Sequence, residues 1–328
     1  MGLYKIMEVS IPMQAKVKLG ISACLLGQKV RHDGGHKLDR FITWTMGQFL
    51  EFVPVCPEVE CGLGVPREAM HLVAAPDGPR LVTVRTRVDH TERMLTWARR
   101  RLAELEQEEL WGFIFKSGSP SSGLEKVKVY SGQGKTVKTG VGLFAREFIQ
   151  HFPLLPAVDD ERLHDPAQRE NFVTRLFTLK RWRDTLASGL TPGKLVDFHT
   201  RHKLLLMSHS PEHYQILGKL VARLKDRPLR EVAAQYQTLL MEALHRKATA
   251  KKNANVLLHL AGYFKKNLSP AEKAGILEVI GEYQKGNLPL LVPVTLFHHL
   301  AQKYGQTYLK EQYYLNPPPL ELKLRCHV

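Results

Sequence analysis

The chain has 328 residues, of which 44% are apolar and 24% charged, with a net charge of +15 and a pI near 9.6. That length accommodates two domains, and the ordinary apolar content excludes a chain too polar to build a core. No stretch approaches the roughly 18–20 uncharged apolar residues of a membrane helix, and four cysteines in a chain of this size do not make a disulfide framework. Residues 1–15 read as an N-terminal extension without a continuous apolar run or a signal cleavage site, so the expectation is a cytoplasmic protein with no membrane partner.

In chain order, the first half alternates short apolar runs with glycine and proline. "KVKLGISACLLG", "FVPVCPE", "RLVTVRTRV" and "WGFIFKSGSP" read as strands. Between the last two, "HTERMLTWARRRLAELEQEEL" is helical: Thr91 is placed to cap it, and Met94, Leu95, Ala98, Leu102 and Leu105 follow a 3.6-residue period. Strands alternating with helices imply a mostly parallel sheet, whose ligands sit beyond the C-terminal strand ends. Cys24, Cys56 and the "SGSPSSG" loop are all expected at such ends. From about Pro153 the grammar becomes helical throughout, and Ser-Pro or Thr-Pro marks several helix starts. The fold class is therefore an α/β N-terminal domain, a mostly parallel sheet flanked by helices, over 16–152, followed by an all-α domain over 153–328.

Three cysteines fall within the first 61 residues, and Cys326 lies almost at the end. Cys24 closes an apolar run and enters a loop in which Gly34 and Gly35 permit close backbone approach to a ligand. Cys56 precedes Pro57 and Glu58, and Cys61 follows in a C-x4-C spacing that some iron–sulfur proteins use. Zinc suits this pattern less, because no nearby Cys or His pair completes a tetrahedral set. A buried, inert thiol is the alternative for each position.

"SACLLG" with "RHDGG", then "PVCPEVECGLGVPRE", then "KSGSPSSGLEKVKVY", resembles the thiouracil desulfidase family over roughly residues 16–152. The second half resembles the YbgA-like domain often fused behind it, through "LVDFHTRHKLLLMSHSP", "NVLLHLAGYFKK", "LPLLVPVTLFHH" and "YLNPPPLELKLR". Such fusions resemble tRNA 4-thiouridine desulfidases, which replace sulfur by oxygen on a thiolated uridine. The resemblance implies a 4Fe-4S cluster held by three thiolates, with one open iron to polarise the thiocarbonyl as a Lewis acid. It implies Cys24 and Cys56 as two ligands, Glu58 as general base toward water, and Ser119 as a substrate contact or proton relay. Asp33, with Gly34 and Gly35, is a substrate-binding candidate, or it caps its own loop.

The chain departs from the family at Ser122, where the pattern has cysteine, reading "SPSSG" for "SPSCG". A hydroxyl is a harder, poorer ligand for cluster iron than a thiolate. Three explanations stand open: Cys61 substitutes as the third ligand, Ser122 ligates weakly, or the cluster is lost and the fold survives as an RNA-binding protein.

The charge is uneven: residues 1–152 carry 21 Lys and Arg against 16 Asp and Glu, and residues 153–328 carry 26 against 16. That excess suits a polyanion, nucleic acid first. Arg246, Lys247, Lys251 and Lys252 lie close together and Asn253, Asn255, Tyr263, Lys265 and Lys266 follow, a pattern that can meet phosphates and stack a base. The alternative is a solvated helix face with Tyr263 and Phe264 in the core. His199 and His202 share a helix face as metal ligands would, yet no acidic pair completes a site. His202, Arg201 and Lys203 instead meet phosphate or pair and pack. The expected partner is tRNA, and the expected activity is non-redox desulfuration of 4-thiouridine in tRNA. The alternatives are desulfuration of a free small-molecule thiolated base, and a cluster-free RNA-binding protein.

Overall fold

Strand β1 (Val17–Ser22) is buried along nearly its whole length, as a central parallel strand must be. It pairs in parallel with β2 (Leu50–Val55) on one side. A short helix α1 (Pro57–Glu60) follows β2 directly. Two further strands, β3 (Met70–Val73) and β4 (Arg80–Thr83), precede the long helix α2 (Thr91–Gln107) and strand β5 (Gly112–Phe115). β5 pairs in parallel with the other side of β1, placing Gly20 opposite Phe113. A Cβ at residue 20 would fall 2.2 Å from the Phe113 ring, so only glycine admits that aromatic across β1.

After β5 come β6 (Val127–Tyr130), β7 (Thr136–Gly140), helix α3 (Leu143–His151), β8 (Ala157–Asp159) and the single turn α4 (Asp160–Leu163). The first sheet has the order β2-β1-β5-β8, parallel throughout. The second runs β4-β3-β6-β7 and is mixed, with antiparallel pairs at both ends. The "RLVTVRTRV" run thus belongs to a separate sheet: only Arg80–Thr83 is strand, held antiparallel to β3. Thr91 does not cap α2. It is the first helical residue, its hydroxyl accepts from Leu81 N at 2.9 Å, and Asp89 accepts the Thr91 N–H at 2.8 Å instead.

This computed structural model describes residues 17–131 and 135–317, and the chain divides into two compact units between Leu163 and His164. The N-terminal extension 1–15, Cys326 and the end of "YLNPPPLELKLR" lie outside the described residues. Residues 153–163, which the sequence pattern groups with the helical half, lie in the first unit, where β8 extends the parallel sheet.

The second unit is helical: α5 (Pro166–Ala187), α6 (Pro192–His209), α7 (Pro211–Ala222), α8 (Leu229–His245), α9 (Ala250–Tyr263), α10 (Pro270–Lys285), α11 (Leu291–Lys303) and α12 (Thr307–Lys310). The Thr-Pro and Ser-Pro starts are real. Thr191, Ser210 and Ser269 each accept a backbone N–H of the first turn, with Pro at the first helical position. Each such cap contributes about 1 kcal/mol. Trp182, Tyr236, Leu257, Phe264 and Phe297 anchor the core of this unit. Among the described residues no helix is long and apolar enough to cross a membrane.

Candidate active site

Three connections leave the C-terminal edge of the parallel sheet and meet around a cavity of about 280 Å³. After β1 the chain enters a 3-10 turn that carries Cys24. After β2 come Cys56, Pro57 and Glu58, and after β5 the run from Lys116 to Ser122. This is where a parallel sheet offers backbone ends and side chains to a ligand.

Cys24 is buried and its thiol makes no hydrogen bond among the described residues. Burial, and secondarily the neighbouring Cys56, push its pKa up to about 11; Lys116 and Arg31 pull the other way. The Cys56 thiol is also raised, chiefly by burial, and lies 3.8 Å from the Val30 carbonyl. Both thiols are therefore protonated at neutral pH without a cation to replace the proton.

Glu58 is held from two sides. Arg67 Nε donates to Glu58 Oε2 at 2.9 Å, Arg67 Nη2 donates to the same oxygen, and Ser121 Oγ donates to Oε1 at 2.8 Å. Arg67 also donates from Nη2 to the Val30 carbonyl at 3.0 Å, and its backbone N–H reaches the His32 carbonyl. One guanidinium thus fixes both the carboxylate and the loop that carries Arg31 and His32 into the cavity wall.

The serine loop is shaped by its own hydroxyl and by the helix beyond it. Ser119 Oγ accepts from the N–H groups of Ser121 and Ser122, and Gly123 N donates to the Ser119 carbonyl. The carbonyls of Pro120 and Ser121 accept from the first N–H groups of α3, which would otherwise lack partners. Gly142 permits this contact, since a Cβ there would fall 2.6 Å from the Ser121 carbonyl. Because the Ser121 proton goes to Glu58, Ser119 donates across the 3.0 Å gap to Ser121 Oγ, completing a Ser119–Ser121–Glu58 chain of hydroxyls. Ser122 is buried at the cavity wall, and its hydroxyl has no hydrogen bond among the described residues.

Cys24, Cys56, Glu58, Ser119 and Ser122 share this cavity, whereas Cys61 does not line it. The Cys61 thiol donates to the Glu58 carbonyl at 3.3 Å, because the turn of α1 carries it past the strand end. Its expected substitution for the missing thiol is not what the fold brings together. Nor do Asp33, Gly34 and Gly35 line the cavity. Asp33 is exposed and caps its own loop, accepting from Gly35 N at 3.0 Å, the contact that chiefly lowers its pKa. Gly34 takes a φ of +77° there. The sequence reading missed Ser121, Arg67 and Lys116. Lys116 Nζ lies 2.9 Å from Asp160 and 2.7 Å from Ser117 Oγ at the cavity. Arg67 stands in the quoted "GVPRE" run and was legible as a lone cation beside Glu58.

The donors that line this cavity suit an iron–sulfur cluster: two soft thiols and a hydroxyl with no hydrogen bond among the described residues face it, with Arg31, Arg67 and Lys116 in its wall to offset negative charge. Among the described residues no group of three His, Cys, Asp or Glu side chains is placed to hold a metal, and Ser122 is the further donor that lines this cavity beside the two thiols.

In the helical unit, Arg246, Lys247 and Lys251 are exposed, as are Asn255, Lys265 and Lys266. Lys252 is not part of that surface. Its ammonium donates to the carbonyls of His209 and Lys247 at 2.7 and 2.9 Å, tying the end of α6 to the α8–α9 connection. Asn253 is buried and accepts from Tyr314 OH. Tyr263 stacks on Tyr308 and is partly exposed, while Phe264 is in the core. Arg201 pairs with Asp197 on the surface, and Lys203 is half-buried. His202 is fully buried, its Nδ1 donating to the Phe198 carbonyl and its Nε2 accepting from Arg181, so it is neutral and unavailable to phosphate or metal. His199 Nδ1 lies 3.2 Å from the Tyr236 hydroxyl.

Comparison with known proteins divides the chain similarly. The sequence model of the 2-thiouracil desulfurase family matches residues 19–160, and that of a protein family of unknown function, DUF1722, matches residues 203–319. The uncharacterized protein YbgA of Escherichia coli (strain K12) is 31% identical over 157 residues, covering 48% of this chain and 93% of YbgA. A solved structure of a 4Fe-4S-dependent thiouracil desulfidase, TudS, is 27% identical, covers 46% of this chain and 95% of its own, and superposes with a TM-score of 0.37.

Proposed function

From a chain that belongs to the YbgA-like family and carries a 2-thiouracil desulfurase domain ahead of that region, we propose a hydrolytic desulfidase of thiolated uracil rings, with 4-thiouridine in tRNA as the substrate. The observation that carries the reading is the convergence of Cys24, Cys56, Glu58 and residues 119–122 on one cavity inside the region matched to the desulfurase family.

The overall change is C=S plus water giving C=O plus hydrogen sulfide, with no net electrons. A 4Fe-4S cluster held by Cys24, Cys56 and Ser122 would supply an open iron as Lewis acid toward the thiocarbonyl sulfur. The remaining work falls to side chains. Glu58 takes the proton from the attacking water at Oε1 or Oε2, and Arg67 keeps the carboxylate facing the cavity. The Ser119–Ser121–Glu58 chain, whose hydroxyls donate toward the carboxylate, holds Glu58 Oε1 in place, and the proton that Glu58 takes leaves with the sulfur as hydrogen sulfide. Lys116 and Arg31 place positive charge where sulfide develops. The exposed Arg246, Lys247 and Lys251 of the helical unit supply contacts for tRNA phosphates.

Ser122 is the specific feature that favours a second reading, a cluster-free RNA-binding protein on the same folds. One experiment separates them: iron, acid-labile sulfide and loss of the thiocarbonyl absorbance of 4-thiouridine tRNA and of free thiouracil, on anaerobically reconstituted protein. Bound iron with tRNA desulfuration, both enhanced in Ser122→Cys and retained in Cys61→Ala, supports the proposal. Turnover of free thiouracil alone relocates the substrate. Salt-sensitive tRNA binding without iron in either protein overturns the enzyme reading.

A further inference from the structure

The helical unit contains a second cavity, also of about 280 Å³, that the desulfuration does not use. Leu205, Leu290, Leu291 and Val294 form an apolar wall. Against it stand polar side chains of α5 that have no hydrogen-bond partner among the described residues. Thr174 is 2% exposed, yet its hydroxyl makes no hydrogen bond among the described residues. Glu170, one helical turn earlier on the same face, is half-buried, and its carboxylate has neither a hydrogen bond nor an ion pair among the described residues. Its charge reaches the buried Tyr283, whose pKa is raised by burial first and by Glu170 in addition. Lys247, also in the cavity wall, is exposed, and its ammonium likewise has no partner among the described residues.

The other polar groups around the cavity are engaged. Tyr314 OH donates to Asn253 Oδ1 at 3.1 Å, Ser208 Oγ donates to the Leu205 carbonyl at 2.8 Å, and Asn171 Nδ2 donates to the Leu244 carbonyl at 2.9 Å. His209 Nδ1 lies 2.8 Å from the Arg246 carbonyl. Among the described residues, the polar side chains that line this cavity are thus engaged, except Glu170 and Thr174 on one face of α5 and Lys247 at its edge. A ligand that hydrogen-bonds such a group at a cavity wall gains about 0.5–1.5 kcal/mol, and more where the group is charged.

That complement is a flat ring to lie on the leucines, N–H donors for Glu170, a polar edge for Thr174 and an anion for Lys247. A carboxylate selects ring N–H and exocyclic amino groups, as it does when it reads cytosine. We propose that this cavity binds a nucleotide, with an amino-bearing base inward on Glu170 and Thr174 and its phosphate outward at Lys247. The nucleotide is either free or part of an RNA strand, and the chemistry at the cavity is the same for both. The proposal stands on the helical unit alone and holds whether or not the first unit carries a cluster.

The test is calorimetric titration of the full chain with CMP, GMP, UMP, the nucleosides cytidine and guanosine, and single-stranded cytosine- and guanine-containing RNA hexamers. CMP or GMP is expected to bind more tightly than UMP and to lose about 10-fold in affinity in Glu170→Gln and again in the isosteric Thr174→Val. Lys247→Ala lowers affinity for the nucleotide and leaves that for the nucleoside unchanged. Hexamers that compete with the mononucleotide assign the ligand to RNA, and mononucleotide binding alone assigns it to a free metabolite. Cys24→Ala, which disables the first cavity, leaves the titration unchanged. Absence of binding by every probe at millimolar concentration overturns the proposal. So does binding that Glu170→Gln and Thr174→Val, both confirmed folded by circular dichroism, leave untouched.

Discussion

The two cavities have the same volume and opposite chemistry. In the first, the central carboxylate is gripped by an arginine and a serine, and the hydroxyls are linked in series. In the second, the carboxylate and the buried hydroxyl have no protein partner among the described residues. A group that must move a proton at a fixed place is preorganised by its neighbours, whereas a group that must recognise an incoming molecule is left for that molecule to satisfy. Catalytic and recognition sites are thus distinguishable by what their polar atoms already hold.

The largest consequence is for activity in the first cavity. Glu58→Gln keeps the shape and removes the base, so desulfuration is expected to fall roughly 10³- to 10⁴-fold, about 4–5 kcal/mol of barrier, with little change in melting temperature. Next is Arg67→Met. It strands the buried Glu58 charge, and urea unfolding should show a loss of about 4 kcal/mol. Rescue of that stability in the Arg67→Met/Glu58→Gln pair would establish that the loss is electrostatic.

Acid should then separate the units. Burial holds the His199 pKa at about 4, below the ordinary 6.5, with the Lys203 charge adding to the effect, and His202 is lowered further for the same main reason. Their folded forms bind fewer protons than the unfolded chain. The stability they contribute is therefore complete above about pH 6.5 and is lost as the pH falls from 6.5 toward 4. For His199 alone the loss is about 3 kcal/mol. In the first unit Asp159 and Glu60 are raised, chiefly by burial, so their contribution grows as the solution acidifies. Hydrogen exchange at pH 7 and pH 4.5 should show the helical unit opening first, and less so in His199→Gln. The smallest effect closes the comparison. Glu170→Gln, which removes a carboxylate with no hydrogen bond or ion pair among the described residues, should change unfolding free energy by less than about 0.5 kcal/mol.

Much of the architecture is legible along the chain. The near-continuous apolar runs of β1 and β5 are the signature of strands buried on both faces, and Thr191, Ser210 and Ser269 announce their helices by chemistry that is local. The second sheet was not legible, because β4 is as short and apolar as a parallel strand, and only its pairing with β3 reveals its place. The basic run at 246–252 misled at Lys252 for a related reason: which side of a helix a residue occupies, and what carbonyl waits there, is a tertiary fact. Glu58 and Ser121 lie 63 positions apart and could not be paired from spacing. Cys61 fails the other way, since nearness in sequence to Cys56 does not carry its thiol into the cavity once α1 begins to turn.

The anchoring of the serine loop reaches beyond catalysis. Ser122 has its backbone fixed by Ser119, by the Gly123–Gly142 hydrogen bond and by the start of α3, while its side chain makes no hydrogen bond among the described residues. Serine and cysteine differ by one atom there, and serine and cysteine codons can differ by one base. A lineage can therefore exchange a hard donor for a soft one at this position, and back again, in single mutational steps that never pass through a misfolded protein.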